Sequence, residues 1–323
     1  MGVVLGVDGG NTKTDVVAAT LDGGLVAYVR GAGSNSHGPG GAEGCIAVVA
    51  GLVAGAALDA PAEHGAFFLC GADVADDVAE LQAVLARQPW VRSASVDNDT
   101  FALLHAADAT DAVAVVCGGG INCVGRRSDG RVSHRSTLGW ETGDWGGAEA
   151  VGREALHRAA RAEDGRGPDT SLVALVLDHF GASSVVSVGE DVHYRRLHET
   201  RLGELAPLIV AAADDDVVAR GIVERLIAEL VLLVERAAGD LELAAEPFQV
   251  VLGGGMLEDD RLRMRVVEAL GERVPHARVV VPQIPAAAGA AVAALEAVGA
   301  QPEAGARLRA AFRAGAAPQV VHG

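Results

Sequence analysis

The sequence of 323 residues is poor in aromatic side chains, which make up 3% of it, and in lysine, which occurs once, as Lys13. Half of the residues are hydrophobic, which is too many for a disordered chain. Length and composition therefore predict two globular domains with cores of alanine, valine and leucine. Positive charge is also scarce. The net charge of -17 argues against a nucleic-acid partner because the phosphates would be repelled.

Long apolar runs and paired cysteine motifs are missing as well. The longest apolar stretches, such as 286–295, are too short and too rich in alanine to predict a membrane span. The first residues enter a core strand, so no signal peptide is expected. The four cysteines form no C-x-x-C pair, and no histidine spacing indicates zinc. We expect reduced, mostly buried thiols in a cytoplasmic protein. These cysteines are Cys45, Cys70, Cys117 and Cys123.

The segment from Val3 to Asp15, V-V-L-G-V-D-G-G-N-T-K-T-D, predicts a strand, a tight turn and a returning strand. Asp8 ends the first strand, where its carboxylate can hold Mg²⁺ directly or through water. The turn can direct backbone N–H groups, two hydroxyls and the only lysine ammonium at one anion. Its residues are Gly9, Gly10, Asn11, Thr12, Lys13 and Thr14. These features suit a nucleoside triphosphate site, with an ordinary glycine hairpin as the alternative.

Two further glycine turns follow predicted strands. The strand 113–116 leads into the second turn, and the strand 248–252 leads into the third. Their glycines are Gly118, Gly119 and Gly120, then Gly253, Gly254 and Gly255. Ligands bind at such strand ends in open α/β sheets. The fingerprint G-x-G-x-x-G is absent from all three turns, which argues against a nicotinamide or flavin site.

The order of the predicted elements indicates a duplicated βββαβα unit and hence a mixed α/β fold. We expect an N-terminal domain over residues 1–112 and a C-terminal domain over 113–285 that carries a helical insertion. The alanine-rich helix 286–299 is expected to pack back on the N-terminal domain. Residues 301–323 are expected to form a fraying tail with a weak helix. The inserted helices are predicted near 147–162, 170–180, 191–199, 203–213 and 215–239.

Several motifs occur in a fixed order between residues 3 and 299. After V-D-G-G-N-T-K-T-D come G-S-N-S-H from Gly33, D-N-D-T from Asp97, G-G-G-I-N-C from Gly118, L-G-W-x-x-G-D-W-G-G from Leu138, E-D-G-R-G from Glu163 and P-x-x-P-A-A-x-G-A from Pro282. Together they resemble the N-acetylglucosamine kinase branch of the BadF/BadG/BcrA/BcrD ATPase family, within the actin-like (ASKHA) sugar-kinase superfamily.

This resemblance implies two RNase H-like, actin-like ATPase domains with a central cleft that closes on ATP and a sugar. It implies that the first turn holds Mg²⁺ and phosphates, that the second turn grips the phosphates, and that the third lies near adenosine. It makes Asp99 the base that deprotonates the sugar hydroxyl. A helix N-cap is the alternative role for Asp99, and Asp97 is the alternative base.

The sugar contacts also come from the resemblance. They are Asn35, Ser36, Asn122, Gly143 and Asp144. The two asparagines have the alternative role of turn residues in left-handed geometry. Three positions depart from the family pattern: Gly119 and Ile121 replace a threonine and a serine, and Trp145 replaces an acid. Trp140 and Trp145 are expected as apolar walls of a sugar pocket or as core residues.

The implied activity is ATP- and Mg²⁺-dependent phosphorylation of an amino sugar, with N-acetylglucosamine and its 6-hydroxyl as the first candidate. The expected partners are small molecules, with neither nucleic acid nor membrane, and a homodimer is an open alternative to a monomer. Other readings of the same motifs are a glucosamine kinase, a non-catalytic sugar sensor, and an ATPase activator of a 2-hydroxyacyl-CoA dehydratase type system. The last of these needs cysteines for an iron–sulfur cluster.

Overall fold

A computed structural model describes residues 2–317 and 319–320. Its strands are β1 (Val3–Gly9), β2 (Lys13–Thr20), β3 (Leu25–Ala32), β4 (His64–Leu69), β5 (Ala94–Asn98), β6 (Ala112–Cys117), β7 (Ile121–Arg126), β8 (Val132–His134), β9 (Phe248–Gly253), β10 (Ala277–Val280) and β11 (Gln319–Val320). Its helices are α1 (Gly41–Gly55), α2 (Ala75–Leu85), α3 (Thr100–Ala106), α4 (Gly147–Glu163), α5 (Leu172–Phe180), α6 (Val185–His193), α7 (Ala206–Ala212), α8 (Val217–Asp240), α9 (Asp260–Arg273), α10 (Ala286–Ala297) and α11 (Pro302–Arg313). Short 3-10 helices cover Gly139–Thr142, Glu199–Leu205 and Gly255–Glu258.

The described strands form two sheets, in the orders β11-β3-β2-β1-β4-β5 and β10-β9-β6-β7-β8. The chain divides into two compact units. Unit 1 comprises the chain up to Ala114, Val124–Ser136 and the chain from Val280 onward, and unit 2 comprises Val115–Cys123 and Thr137–Val279. The expected mixed α/β architecture is therefore present.

In unit 1, β1 pairs antiparallel with β2 and parallel with β4, and β4 pairs parallel with β5. One face of this sheet packs against α1 and α2 in a core of valine, leucine, isoleucine and phenylalanine side chains. Leu5 and Val7 of β1 point into that core. Side chains alternate between the two faces of a strand, so Gly6 and Asp8 lie on the opposite face.

That opposite face is covered by α10, which packs against β1, β2, β4 and α3. The contact is backbone to backbone at Gly6, where a Cβ would overlap the backbone of Ala291 and the carbonyl of Ala287. Gly289 makes a similar approach to α3, at Ala106. The alanine and glycine residues of α10 thus let a helix lie directly on a strand, because no side chain separates them.

The segment expected to fray instead contains α11, a packed helix. Pro302 occupies its first turn, which suits the fixed φ of proline. Its buried face includes Ala304, Leu308 and Phe312, and the Phe312 ring meets Tyr28 of β3 edge to face at 5.2 Å. The prediction underestimated this helix because its apolar partner lies in β3, at the other end of the sequence. Pro318 and residues 321–323 of the predicted tail lie outside the described part of the chain.

In unit 2 the helices α4 to α8 follow the 3-10 helix Gly139–Thr142, and α4 packs against each of the other four. The predicted helix at 191–199 is wrong. Ser184 accepts a hydrogen bond from the Ser187 N–H at 3.1 Å, so α6 starts at Val185. Arg195 has a φ of 57°, and this left-handed conformation stops the chain from continuing as a helix.

Among the described residues, no single helix has the length and apolar character needed to cross a membrane. The bent pair α5 and α6 meets that requirement only when the two are taken together. All four cysteines are free thiols; Cys70 is half-buried and the others are buried.

The contact at Gly6 generates a stability prediction. Gly6→Ala should lower the free energy of unfolding by about 1–3 kcal/mol, because α10 must move off β1 to make room. Gly51→Ala is the matched control, since Gly51 is exposed in α1 with open space around it. There the same change should raise stability by about 0.5–1 kcal/mol. Urea denaturation of both variants measures the two effects. A Gly6→Ala variant as stable as the wild type would contradict the close packing of α10 on β1.

Candidate functional site

Polar side chains gather where β1, β4 and β5 end. In the sheet register Asp8 lies opposite Phe68, and Phe68 lies opposite Asp97. Since the three strands are parallel, their carboxyl ends share one edge. The loop after β4 and the start of α3 therefore lie beside Asp8. The residues expected to be the metal ligand, Asp8, and the base, Asp99, both lie at this edge.

The carboxylate of Asp99 is not used as a helix cap. Asp99 immediately precedes α3, yet within the described residues its side chain caps no backbone N–H. Asn98 does this instead. Its Oδ1 accepts a hydrogen bond from the Thr100 N–H at 3.0 Å, and its Nδ2 donates to Asp73 Oδ1 at 2.8 Å. The side chain of Asp99 therefore makes no helix-cap hydrogen bond, and its Oδ1 accepts a long hydrogen bond from the Thr100 hydroxyl at 3.4 Å.

Burial raises the pKa of Asp99 to about 6, and the negative charge of Asp73 adds to the shift. A carboxyl group with this pKa is mostly ionised at neutral pH but is a stronger base than an ordinary aspartate. Burial also raises the pKa of Asp97, so the two aspartates differ in exposure rather than in the direction of their pKa shifts. Asp97 is exposed, and its Oδ1 accepts a hydrogen bond from the Asn98 N–H at 2.9 Å.

Asp8 is half-buried, and burial raises its pKa to about 7, with further contributions from the negative charges of Asp99 and Asp15. Lys13 and Arg30 act in the opposite direction. Asp15 is nearly inaccessible, and Arg30 neutralises it through two hydrogen bonds of 2.6 and 2.8 Å. A site that crowds carboxylates in this way favours a bound cation.

The first glycine turn closes on itself. The Gly10 N–H donates to the Lys13 carbonyl at 2.9 Å, and the buried hydroxyl of Thr14 donates to Ser34 Oγ at 2.8 Å. Thr14 therefore supports the hairpin from inside. Asn11, Thr12 and Lys13 are exposed at its tip. A Cβ at Gly9 would lie 2.6 Å from the Leu69 side chain, so this turn needs glycine.

The loop with Asn35 and Ser36 lies against the first turn and the end of β4. Asn35 Nδ2 donates to Asn11 Oδ1 at 2.6 Å, and its Oδ1 accepts from the His37 N–H at 2.8 Å. Ser36 Oγ donates to the Gly71 carbonyl at 2.9 Å. A Cβ at Gly71 would lie 2.7 Å from Asn35 Oδ1. Unit 1 thus holds the first turn and two of the expected sugar contacts in one hydrogen-bonded cluster.

Unit 2 brings the second and third glycine turns together. A Cβ at Gly254 would overlap the backbone of Cys117, which precedes the second turn, and the φ of Gly254 is 92°. The thiol of Cys117 lies 3.6 Å from the sulfur of Met256, which follows the third turn. In the second turn, the Gly118 N–H donates to the Gly120 carbonyl at 2.9 Å. Gly119, Gly120 and Gly255 are exposed.

The other expected sugar contacts lie near the second turn. Asn122 Oδ1 accepts a hydrogen bond from the Cys123 N–H at 2.7 Å. Asn122 lies in β7 and has no left-handed backbone conformation, so the alternative role of a left-handed turn residue is wrong for it. Asp144 is half-buried and bonded to the Thr142 hydroxyl, and the exposed Gly143 has a φ of 84°. Trp145 is 7% exposed and belongs to the core, whereas Trp140 is 83% exposed.

The sequence analysis did not identify two features that affect the charges of Asp8 and Asp99. They are Asp73 and the ion pair of Asp15 with Arg30. Asp73 lies in the loop after β4, four residues past the end of that strand, so a search of the loops that follow predicted strands would have found it. The pair could not be found in that way. It depends on the register of β2 against β3, which places Asp15 opposite Arg30.

Comparison with known proteins shows which family this chain belongs to and which proteins it is similar to. The model of the BadF/BadG/BcrA/BcrD ATPase family matches residues 5–297. The N-acetylmuramic acid/N-acetylglucosamine kinase of Clostridium acetobutylicum is 23% identical over 265 residues, which are 80% of this chain and 87% of that protein.

Solved structures show the same fold. A candidate N-acetylglucosamine kinase from Chromobacterium violaceum superposes with a TM-score of 0.72 at 22% identity, over 90% of this chain and 98% of that one. A ROK family glucokinase from Streptomyces griseus, in complex with glucose and AMPPNP, gives a TM-score of 0.58 at 19% identity, over 91% and 98% of the two chains. The actin-like ATPase fold expected from the sequence is confirmed.

The raised pKa of Asp99 predicts a stability effect that depends on pH. The folded-state pKa of about 6 lies above the ordinary value of 3.8, so the free energy of unfolding falls as pH rises through this window. Asp99→Asn should therefore stabilise the protein by about 1–2 kcal/mol above pH 7, and the gain should vanish below pH 4. Thermal unfolding between pH 3.5 and 8 measures it. The exposed Asp59, changed to Asn, is the control and should show no such trend. A pH-independent difference for Asp99→Asn would contradict the buried charge.

Proposed function

The chain belongs to the BadF/BadG/BcrA/BcrD ATPase family, and from that premise we propose that it is an ATP-dependent kinase of an amino sugar. The first candidate substrate is N-acetylglucosamine, phosphorylated at its 6-hydroxyl. Two kinds of observation support this proposal. One is the kinase relative in Clostridium acetobutylicum and its named substrates. The other is a set of glycine turns at strand ends with half-buried carboxylates beside the first of them.

The arrangement of Asp99 carries the proposal. Phosphoryl transfer to a sugar needs a base at the accepting hydroxyl, and otherwise depends mostly on positioning and neutralisation of charge. Asn98 makes the hydrogen bond that would otherwise occupy Asp99, and burial raises the pKa of Asp99 to about 6. A carboxylate that is ionised, half-buried and free of a capping role suits the acceptance of a proton from a hydroxyl group.

Each of the other residues has a role in the proposed reaction. The ammonium of Lys13 and the tip of the first turn bind phosphate oxygens, and the N–H groups of the second turn do the same. The third turn contacts adenosine. The expected sugar contacts hold the acceptor in place; they are Asn35, Ser36, Asn122, Gly143 and Asp144. Holding donor and acceptor together converts a bimolecular reaction into an effectively unimolecular one.

Asp8 is the proposed protein ligand for Mg²⁺. Within the described residues, no group of three or more His, Cys, Asp or Glu side chains forms a complete metal cage. Mg²⁺ does not need one, since it is usually held by one or two carboxylates together with substrate phosphates. The crowding of Asp8 by the charges of Asp15 and Asp99 fits such a cation. When bound, Mg²⁺ neutralises charge on the phosphates of ATP.

Asp99→Asn should lower kcat by about 10²–10⁴-fold, because the amide cannot accept the proton. ATP and sugar binding should persist. In the wild type, kcat/KM should fall as pH drops below about 6, where Asp99 becomes protonated. Coupled ADP-release kinetics and calorimetric binding measure these effects. Asp97→Asn is the matched control, two residues away on an exposed position, and should retain most activity. The reverse pattern would transfer the role of base to Asp97.

Asp8→Ala should abolish the stimulation of turnover by Mg²⁺ in the millimolar range, because the protein ligand of the cation is lost. The rate measured against Mg²⁺ concentration at saturating ATP gives the effect. Asp22→Ala is the control, since Asp22 is an exposed carboxylate just past the other end of β2. An unchanged Mg²⁺ dependence in Asp8→Ala would place the cation elsewhere.

The substrate is tested by ADP release with a panel of sugars. N-acetylglucosamine should support the fastest turnover, ahead of N-acetylmuramic acid, glucosamine and glucose. ATP hydrolysis that no sugar stimulates would instead favour the ATPase-activator alternative. Nucleotide or sugar binding without turnover would favour a sugar sensor.

A further inference from the structure

A side-chain stack in unit 2 connects α8 to the turn that contains Asp144. The guanidinium carbon of Arg225 lies 3.9 Å from the centre of the Trp145 ring, and Trp145 is only 7% exposed. The next residue of α8, Leu226, contacts the same turn, because a Cβ at Gly146 would lie 3.1 Å from Leu226 Cδ1. Two neighbouring side chains of α8 thus fix the backbone on the carboxyl side of Asp144.

The same turn supports the second glycine turn. A Cβ at Gly146 would lie 2.8 Å from the Ile121 side chain, and a Cβ at Gly147 would overlap the backbone of Gly119 and Gly120. The Ala148 and Glu149 N–H groups donate to the carbonyls of Gly118 and Gly119, at 2.8 and 3.0 Å. The glycine turn therefore cannot shift unless residues 146–149 shift with it.

Two of the residues that depart from the family pattern take part in this packing. Trp145 stacks on Arg225 of α8, and Ile121 packs against the backbone of Gly146. The family places an acid and a hydroxyl at these positions, whereas this chain places an indole and a branched alkyl group there. We propose that Arg225 and Trp145 are a positioning pair that holds the Asp144 turn and the Gly118–Gly120 turn in place for sugar and nucleotide. The proposal rests on the proposed function, since it concerns the same turns.

Arg225 can be changed with little disturbance to the core. Its side chain is exposed and borders a surface cavity of about 260 Å³, so a shorter residue leaves no buried void. A matched control exists in the same unit: Arg196 stacks on the exposed ring of Tyr194, with its guanidinium carbon 4.9 Å from the ring centre. Arg225→Gln and Arg196→Gln both remove a cation–π stack, and Arg196→Gln also removes the ion pair of Arg196 with Asp191 at 3.0 Å.

The test is calorimetric titration of the 323-residue chain with MgADP, together with the KM for N-acetylglucosamine and the unfolding temperature. Arg225→Gln should weaken ADP binding about three- to tenfold and raise the sugar KM by a similar factor, as expected for loss of a cation–π contact. Arg225→Lys should give a smaller change than Arg225→Gln, because a lysine ammonium can still stack on the Trp145 ring, although less well than a planar guanidinium. Arg196→Gln should change neither affinity.

A double-variant comparison isolates the stack. In a Trp145→Leu background, Arg225→Gln should have no further effect on ADP binding. The proposal is overturned if Arg225→Gln acts equally in both backgrounds, or if it lowers the unfolding temperature while ADP affinity stays within twofold. Should Arg225→Gln not fold, Arg225→Lys and Trp145→Phe take its place under the same criteria. A wild type that phosphorylates no sugar would refute the proposed substrate, while the ADP titrations would still decide the role of the stack.

Discussion

The parallel alignment of β1, β4 and β5 is the constraint on which the cluster of carboxylates in unit 1 depends. Parallel strands end at the same edge, so the residues that follow them become neighbours regardless of their distance in sequence. Asp8, Asp73 and Asp99 meet in this way. The alignment is held from behind by α10, which lies on β1 because Gly6 offers no side chain. A glycine that takes no part in chemistry therefore helps to determine where the carboxylates lie.

Bringing these carboxylates together destabilises the fold. Burial and mutual repulsion raise the pKa of Asp8 to about 7 and that of Asp99 to about 6, so each charge is less favourable in the folded protein than in water. Asp15 of β2 adds a further charge near Asp8, and Arg30 offsets that charge through two hydrogen bonds. Within the described part of the chain, Asp8 and Asp99 have no ion pair of this kind. In the proposed reaction, Asp8 would bind Mg²⁺ and Asp99 would accept a proton from the substrate.

Apolar runs followed by glycines predicted the strands and the glycine turns at their ends, whereas the role of Asp99 came from the family resemblance. Features that depend on register or on distant partners could not be read in this way. Asp15 meets Arg30 only through the pairing of β2 with β3. The helix α11 owes its packing to Tyr28. Trp145 suited a pocket wall and a core position equally well, and its stacking on Arg225 of α8 places it in the core.

The exposure of Lys13 at the tip of the first turn gives the protein an unusual chemical handle. The chain has a single ε-amino group, since every other basic side chain is arginine or histidine. Amine-directed acylation of the folded protein can therefore modify one side chain, in addition to the α-amino group, and that side chain lies in the turn proposed to bind phosphate. The rate of labelling, followed by intact-mass spectrometry, reports on the accessibility of this one turn without any introduced probe.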